Sequence, residues 1–365
     1  MQSGSNEPGS GKSRTVRDNG RLVTTDLSYT VFDPELVPGA RNAVRTCLAV
    51  KPEERVVLLT DRGAQQIAAA LAEQVRAVGA PLESYVIEDY VTRPSRALPQ
   101  PVVEGFRRAQ VSIFAAGALP GELAMRRALT AIVGERQMRH GHMVGISRRI
   151  MVEGMRADFH AVAALTSWVR ERAMRAREIV CKTPAGTDLR AHFIPELKWI
   201  PTPGLISSAK WGNLPGGETF TSPARVDGLF VVDGVLGDWL APKHGDMREC
   251  PLTITIEKSR IVKLACDNAA ALADFRAYTS VDENSNRVGE YALGTNLAVK
   301  DIIGNMLQDE KIPGVHIAFG HPYSEHTGAK WTSTTHIDVV GRDFDVWLDG
   351  EQIMAKGRYL TNGEV

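Results

Sequence analysis

Apolar and polar positions alternate in two different ways along the chain. In the N-terminal half, short unbroken apolar runs precede stretches with apolar residues three and four apart. Residues 55–60 (RVVLLT) form such a run, which predicts a buried strand. Asp61 can cap an Ala-rich helix over 64–78, Gly79 closes it, and residues 84–87 give a second strand. Strand, helix, strand in this order is a parallel βαβ unit with a right-handed crossover. Val111–Ala116 continues the series, and 144–146 is a further candidate strand. Residues 159–177 carry the spacing of a long helix that links the two halves. From Glu178 the pattern shortens to a hairpin over 179–193 with a Gly turn, then runs at 229–232, 252–257 and 260–265. The expected fold is an α/β N-terminal domain with parallel βαβ units, followed by an α+β C-terminal domain with largely antiparallel sheet. The expected divisions are a disordered tail over 1–25, the α/β domain over 26–177 and a metal-binding catalytic domain over 178–365.

Composition narrows the class without naming a function. Hydrophobic residues make up 43% and charged residues 24%, ordinary globular usage, so a fibrous or wholly disordered chain is excluded. Lys and Arg total 43 against 43 Asp and Glu, and the basic pairs at 107–108 and 148–149 read as solvated helix faces. No nucleic-acid partner is expected without a basic surplus. Cys47, Cys181, Cys250 and Cys266 share no CxxC spacing, which argues against a cysteine-bound zinc and fits a reduced, cytoplasmic protein. No apolar run reaches about 18 residues, so no membrane partner is expected. The polar, Gly- and Ser-rich start lacks the apolar stretch of a secretory signal. The turn after Thr60 and the segment 117–121 both lack a GxGxxG pattern, so no nucleotide cofactor is expected.

The residues that can carry chemistry lie between 211 and 340. Glu218 is the one carboxylate of a Gly- and Pro-rich stretch, 211–223, that reads as a tight loop with glycines for close backbone approach. Glu290 opens an alternating apolar run. Asp309 and Glu310 follow the end of a helix expected at 305–308. After the Pro313-Gly314 turn, His316 faces away from Val315 and Ile317 on a strand. His336 and Asp338 are two apart, so on a strand their side chains share a face. Imidazole and carboxylate together suit zinc, cobalt, manganese or iron. The surplus of carboxylates over what one tetrahedral ion needs favours a pair of ions held ~3.5–4 Å apart.

At these clusters the chain resembles the metal-dependent aminopeptidases of the aminopeptidase T type, peptidase family M29. The matching elements are N-x-P-x-x-E-x-F with Glu218, G-E-x-A-L with Glu290, D-E followed by H-I-A-F-G with Glu310 and His316, and H-x-D with His336 and Asp338. The segment between Glu310 and His316 is one residue longer than the family spacing. The resemblance implies that Glu218, Glu290, Glu310, His316, His336 and Asp338 bind two divalent ions (Zn, Co or Mn). Glu218 or Glu290 would move a proton, and Tyr323 would lie beside the ions and stabilise the transition state. It implies a homodimer that removes the N-terminal residue of peptides, or acts on another small molecule. Ring-cleaving 2,5-dihydroxypyridine dioxygenases look like relatives of the same fold. For them His316, His336 and Asp338 would hold one Fe(II), whereas the retained Glu218 favours a peptidase. An inactive metal-binding relative is the third reading.

Overall fold

The computed structural model describes residues 14–18, 21–208, 211–361 and 363. Of the tail expected over 1–25, residues 1–13 and 19–20 lie outside the described residues, while Arg14–Asp18 pairs antiparallel with Arg21–Asp26. The chain divides into two units. One runs up to Met155 and includes Ile206–Gly212. The other takes Arg156–Leu205 and the chain from Asn213 onward.

In the first unit the apolar runs become parallel strands β1 (Val56–Thr60), β2 (Leu82–Val86), β3 (Val111–Ala116) and β4 (Arg139–Val144), in the order β4-β3-β1-β2. Every residue of β1 and β3 is buried, as strands covered on both faces require. Helix α1 (Gln65–Val78) stops at Gly79, whose φ of 89° suits a residue without Cβ. The fourth strand lies earlier than the expected 144–146. Its sequence, RHGHMV, hides the run, because His140 and His142 are polar by type yet buried.

The second unit stacks two antiparallel sheets. The larger takes eight strands in the order Arg260–Ala265, Leu252–Glu257, Arg225–Val232, Asp188–His192, Glu178–Lys182, Asp345–Leu348, Glu351–Ala355 and Arg358–Tyr359. The smaller contains β5 (Glu218–Thr221), β6 (Val288–Gly294), β7 (Gly314–Gly320) and β8 (His336–Val340) in sequence order, with Ile200–Pro201 beyond β5 and Val235–Leu236 beyond β8. One apolar cluster joins Tyr291, Leu293, Ile317, Phe319, Ile337 and Val339 of the smaller sheet to Ile179, Leu189, Val226 and Phe230 of the larger. Each such burial is worth about 1.5–3 kcal/mol. Helix α2 (Phe159–Ala173) adds Leu165, Trp168 and Val169 to this core. No described helix is long and apolar enough to cross a membrane.

Candidate metal centre

With one face of β6, β7 and β8 committed to the core, period-two alternation turns His316, Ala318, His336 and Asp338 to the other face. Register then decides which of them meet. Ala318 stands between Glu290 of β6 and Asp338 of β8, and its small side chain leaves room for the two carboxylates to converge. Two residues along, Ala292 is opposite His316.

Glu290 shares this face by alternation with the core residues Tyr291 and Leu293, and a defect in the sheet separates it from Val288. Val288 and Glu290 are two apart, yet Val288 belongs to the apolar core. The pairing shifts between them, Val288 with Phe319 and Glu290 with Ala318, so Gly289 is a bulge. A Cβ on Gly289 would lie 2.1 Å from the carbonyl oxygen of Gly320, so the bulge needs glycine.

Glu218 begins strand β5 and does not sit in a loop as the Gly- and Pro-rich sequence implied. The preceding glycines serve backbone packing and do not line a ligand: a Cβ on Gly216 would lie 2.3 Å from Gly204 N, and one on Gly217 would lie 2.9 Å from Asn296 N. The helix expected to end at 305–308 begins there instead, as Met306–Asp309 capped by Asn305. Asp309 faces that turn, accepting hydrogen bonds from Ile303 N and Asn305 N at 2.9 and 2.8 Å, which leaves Glu310 to reach the site.

The six residues singled out in the sequence come together. His316 Nε2 lies 3.4 Å from Glu218 Oε2 and 3.7 Å from Glu290 Oε1. His336 Nε2 lies 3.6 Å from Glu290 Oε2 and 3.4 Å from Asp338 Oδ2. Two groups can each offer an ion three ligand atoms: Glu290 with His336 and Asp338, and Glu310 with His316 and Asp338. Asp338 belongs to both. His336 Nδ1 bonds the carbonyl oxygen of His321 at 2.8 Å, which turns Nε2 toward the carboxylates. Tyr323 packs its ring 4.8 Å from that of His336 and holds a left-handed backbone, φ 47°, with its N–H on His321 Nδ1 at 3.0 Å. Strain of this kind persists where surrounding contacts over-determine it.

Two participants were not visible in the sequence. Lys311 is buried, with Nζ 2.7 Å from Glu218 Oε1 and a short ion pair to Glu310 Oε1. Thr202 donates to Glu218 Oε1 at 3.0 Å. A buried lysine is rare unless paired, so a sequence reader places Lys311 on the surface.

The donor set fits a bound cation. Glu218 Oε2 is buried and has no hydrogen-bond partner among the described residues. Among the described residues one lysine, paired with two of the four carboxylates, is the cationic side chain besides the histidines within ion-pair distance, which leaves a deficit of positive charge in a buried place. Burial alone would strip the proton from His316, but Glu290 and Glu218 lift its pKa to about 9. Burial opposes the charge on His336 too, and Asp338 and Glu290 lift it to about 10. Burial pushes Glu310 up to about 8, against the pull of Lys311. Burial also raises Glu218, yet Lys311 and His316 hold it below the usual carboxylate range. Protons thus partly offset a charge that a metal would offset when bound.

The family model for thermophilic metalloproteases (M29) matches residues 160–353, just over half of the chain. The chain belongs to this family. Among solved structures, wild-type AmpT from Thermus thermophilus is similar over 90% of this chain and 100% of its own, with a TM-score of 0.67 and 19% identity. The 2,5-dihydroxypyridine dioxygenase of Pseudomonas putida KT2440 is similar over 90% of this chain and 98% of its own, with a TM-score of 0.65 and 16% identity. At such identities these likenesses speak for the fold alone, and they bear out the α/β plus antiparallel arrangement. In sequence, the 2,5-dihydroxypyridine 5,6-dioxygenase of P. putida is 24% identical over 275 residues, 68% of this chain and 76% of that protein. Membership of this M29 family implies a divalent metal, and Glu290, Glu310, His316, His336 and Asp338 form the two groups that could hold an ion.

Proposed function

We propose that the protein is a metal-dependent aminopeptidase that releases the N-terminal residue of a peptide at a two-ion centre. One observation carries the reading: two ligand groups of mixed imidazole and carboxylate share Asp338, the arrangement expected where a carboxylate bridges two cations. Glu290, Glu310, His316, His336 and Asp338 would hold the ions, Zn, Co or Mn, with Glu218 completing the set. When bound, the ions would supply Lewis acidity and a water of lowered pKa. Glu218 is tied down by Lys311 and Thr202. Glu290 touches imidazoles and no such anchors, so it is the better placed carboxylate to carry a proton to the leaving amine. Burial, and then the neighbouring carboxylates Glu290 and Asp338, raise the pKa of Tyr323 well above its ordinary value. The hydroxyl stays protonated and can donate to the developing oxyanion. A free substrate α-amine would bind one ion or a nearby carboxylate, which would restrict cleavage to the N-terminus.

A second reading has its own support. The sequence relative in P. putida is named a 2,5-dihydroxypyridine 5,6-dioxygenase, and His316, His336 and Asp338 alone form two imidazoles and one carboxylate suited to a single Fe(II). One experiment separates the two. Protein reconstituted anaerobically with Zn(II), Co(II), Mn(II) or Fe(II) is given short peptides, their N-acetylated forms, and 2,5-dihydroxypyridine with oxygen. The expected outcome is release of the first amino acid from free peptides, none from acetylated ones, and no oxygen uptake. Oxygen uptake with inert peptides would establish the dioxygenase reading instead.

A further inference from the structure

We infer that Lys311 makes the two candidate ion positions unequal: the Glu290–His336–Asp338 position fills first, and the Glu310–His316–Asp338 position fills only against the Lys311 ammonium. The inference rests on the metal-centre reading above and adds an order of filling to it. Its first support is geometric. Lys311 Nζ contacts Glu310, a member of the second group, and Glu218, which stands beside His316. Among the described residues, neither Glu290 nor Asp338 has a lysine or arginine within ion-pair distance. An ion entering the second position shares Glu310 with an ammonium already there, whereas the first position is held by groups without a cationic partner.

The second support is the charge count. Imidazoles bind metal in the neutral form. Four carboxylates and one ammonium then leave three uncompensated negative charges. One dication leaves the pocket slightly negative, and a second makes it positive unless an anion such as hydroxide enters with it. In a buried pocket that change of sign is costly, because like charges a few ångströms apart repel strongly at low effective dielectric. The second ion therefore binds more weakly, and best together with an anion. Lys311 is held in place from both sides, since Thr202 fixes the Glu218 oxygen that it contacts.

The test counts metal and reads no activity. Metal-free protein is titrated with Zn(II) by calorimetry, and bound zinc is measured after desalting. Wild type should keep one zinc per chain, with a second step at least about 100-fold weaker. Lys311→Met and Lys311→Gln should narrow that gap at least tenfold and keep close to two. If Lys311→Met fails to fold, Lys311→Gln, which is neutral but can still donate to Glu310, carries the comparison. Two equal steps in wild type, or a second step unmoved by the neutral variants, would overturn the inference. Stepwise binding by a protein that cleaves no peptide would leave it standing and remove the proposed reaction.

Discussion

Each unit of this protein buries charge against a sheet, and the two balance it differently. In the first unit Arg93 meets Asp61 and Glu122 beside Gly117, at the point where the strand order turns from β1 to β3. Its guanidinium takes Glu122 with two hydrogen bonds, at 2.9 and 2.5 Å, pairs with Asp61, and donates to Gly117 O at 2.8 Å. In an open α/β sheet this crevice is where a ligand usually binds, and here the protein's own side chains engage its polar groups. In the second unit Lys311 pairs with Glu218 and Glu310, while Glu290 and Asp338 meet only histidines among the described residues. The histidines follow the same division. His140 and His142 contact Ser112, each other and apolar rings, with no carboxylate, and burial drives His140 down to about 3. His316 is just as enclosed and His336 partly so, yet carboxylates move both the opposite way. Burial alone therefore does not mark a site. A buried deficit of charge does, because a folded protein keeps it only where something else supplies the missing sign.

The contrast breaks most visibly at Asp338. As the carboxylate common to both ligand groups, it is the residue on which the deficit depends most. Asp338→Ala should lower peptide hydrolysis at least about 1,000-fold, since several kcal/mol of transition-state stabilisation go with the metal. Zinc retained after desalting should fall in parallel. Full metal content together with full activity in this variant would remove the proposed centre.

His336 and Asp338 were legible in the sequence because i and i+2 on a strand share a face whatever the tertiary context. His316 was legible for the same reason. Glu290 was legible as a residue type at a motif position opening an alternating run, and alternation with Tyr291 and Leu293 turns it to the site; the bulge at Gly289, which puts Val288 two positions away in the core, was not legible. Lys311 was not legible at all. Its partner Glu218 comes from a distant strand, and nothing local distinguishes it from a solvated lysine. The same limit hid β4, where buried histidines interrupt an apolar run, and mistook the start of β5 for a loop, because backbone-packing glycines look like turn glycines. Local periodicity was readable, whereas long-range pairing of charges was not.

The balanced side of the comparison has its own test. Arg93→Met removes one cation and leaves Asp61 and Glu122 buried without it. Breaking a buried pair from one side costs about 3–5 kcal/mol. Urea denaturation should show that loss, while zinc stoichiometry at the other unit stays at the wild-type value. A stability change below about 1 kcal/mol would mean that water reaches these carboxylates and that the first unit is not balanced by Arg93.

The smallest effect is a slope. His140 has its folded pKa depressed to about 3 by burial, against about 6.5 in an unfolded chain. Between those values the unfolded chain binds the extra proton, so stability rises with pH across the window. The contribution is fully present above about pH 6.5 and is lost as pH falls toward 3, by roughly 1.4 kcal/mol for each unit. His316 and His336 have the opposite sign in the ion-free protein: their folded values lie above 6.5, so their contribution is full below about pH 6.5, declines as pH rises past it, and is gone by about 9 to 10. The His140 share is read as a difference between two proteins, each chelated and unfolded in urea at pH 7.5 and 5.5. On going to pH 5.5 wild type should lose stability relative to His140→Gln, which can keep a hydrogen bond to Ser112 but takes up no proton. Equal slopes in the two proteins would show that His140 reaches solvent before the unit unfolds, and that the neutral histidine pair is not sealed in the way the carboxylate-faced pair contrasts with.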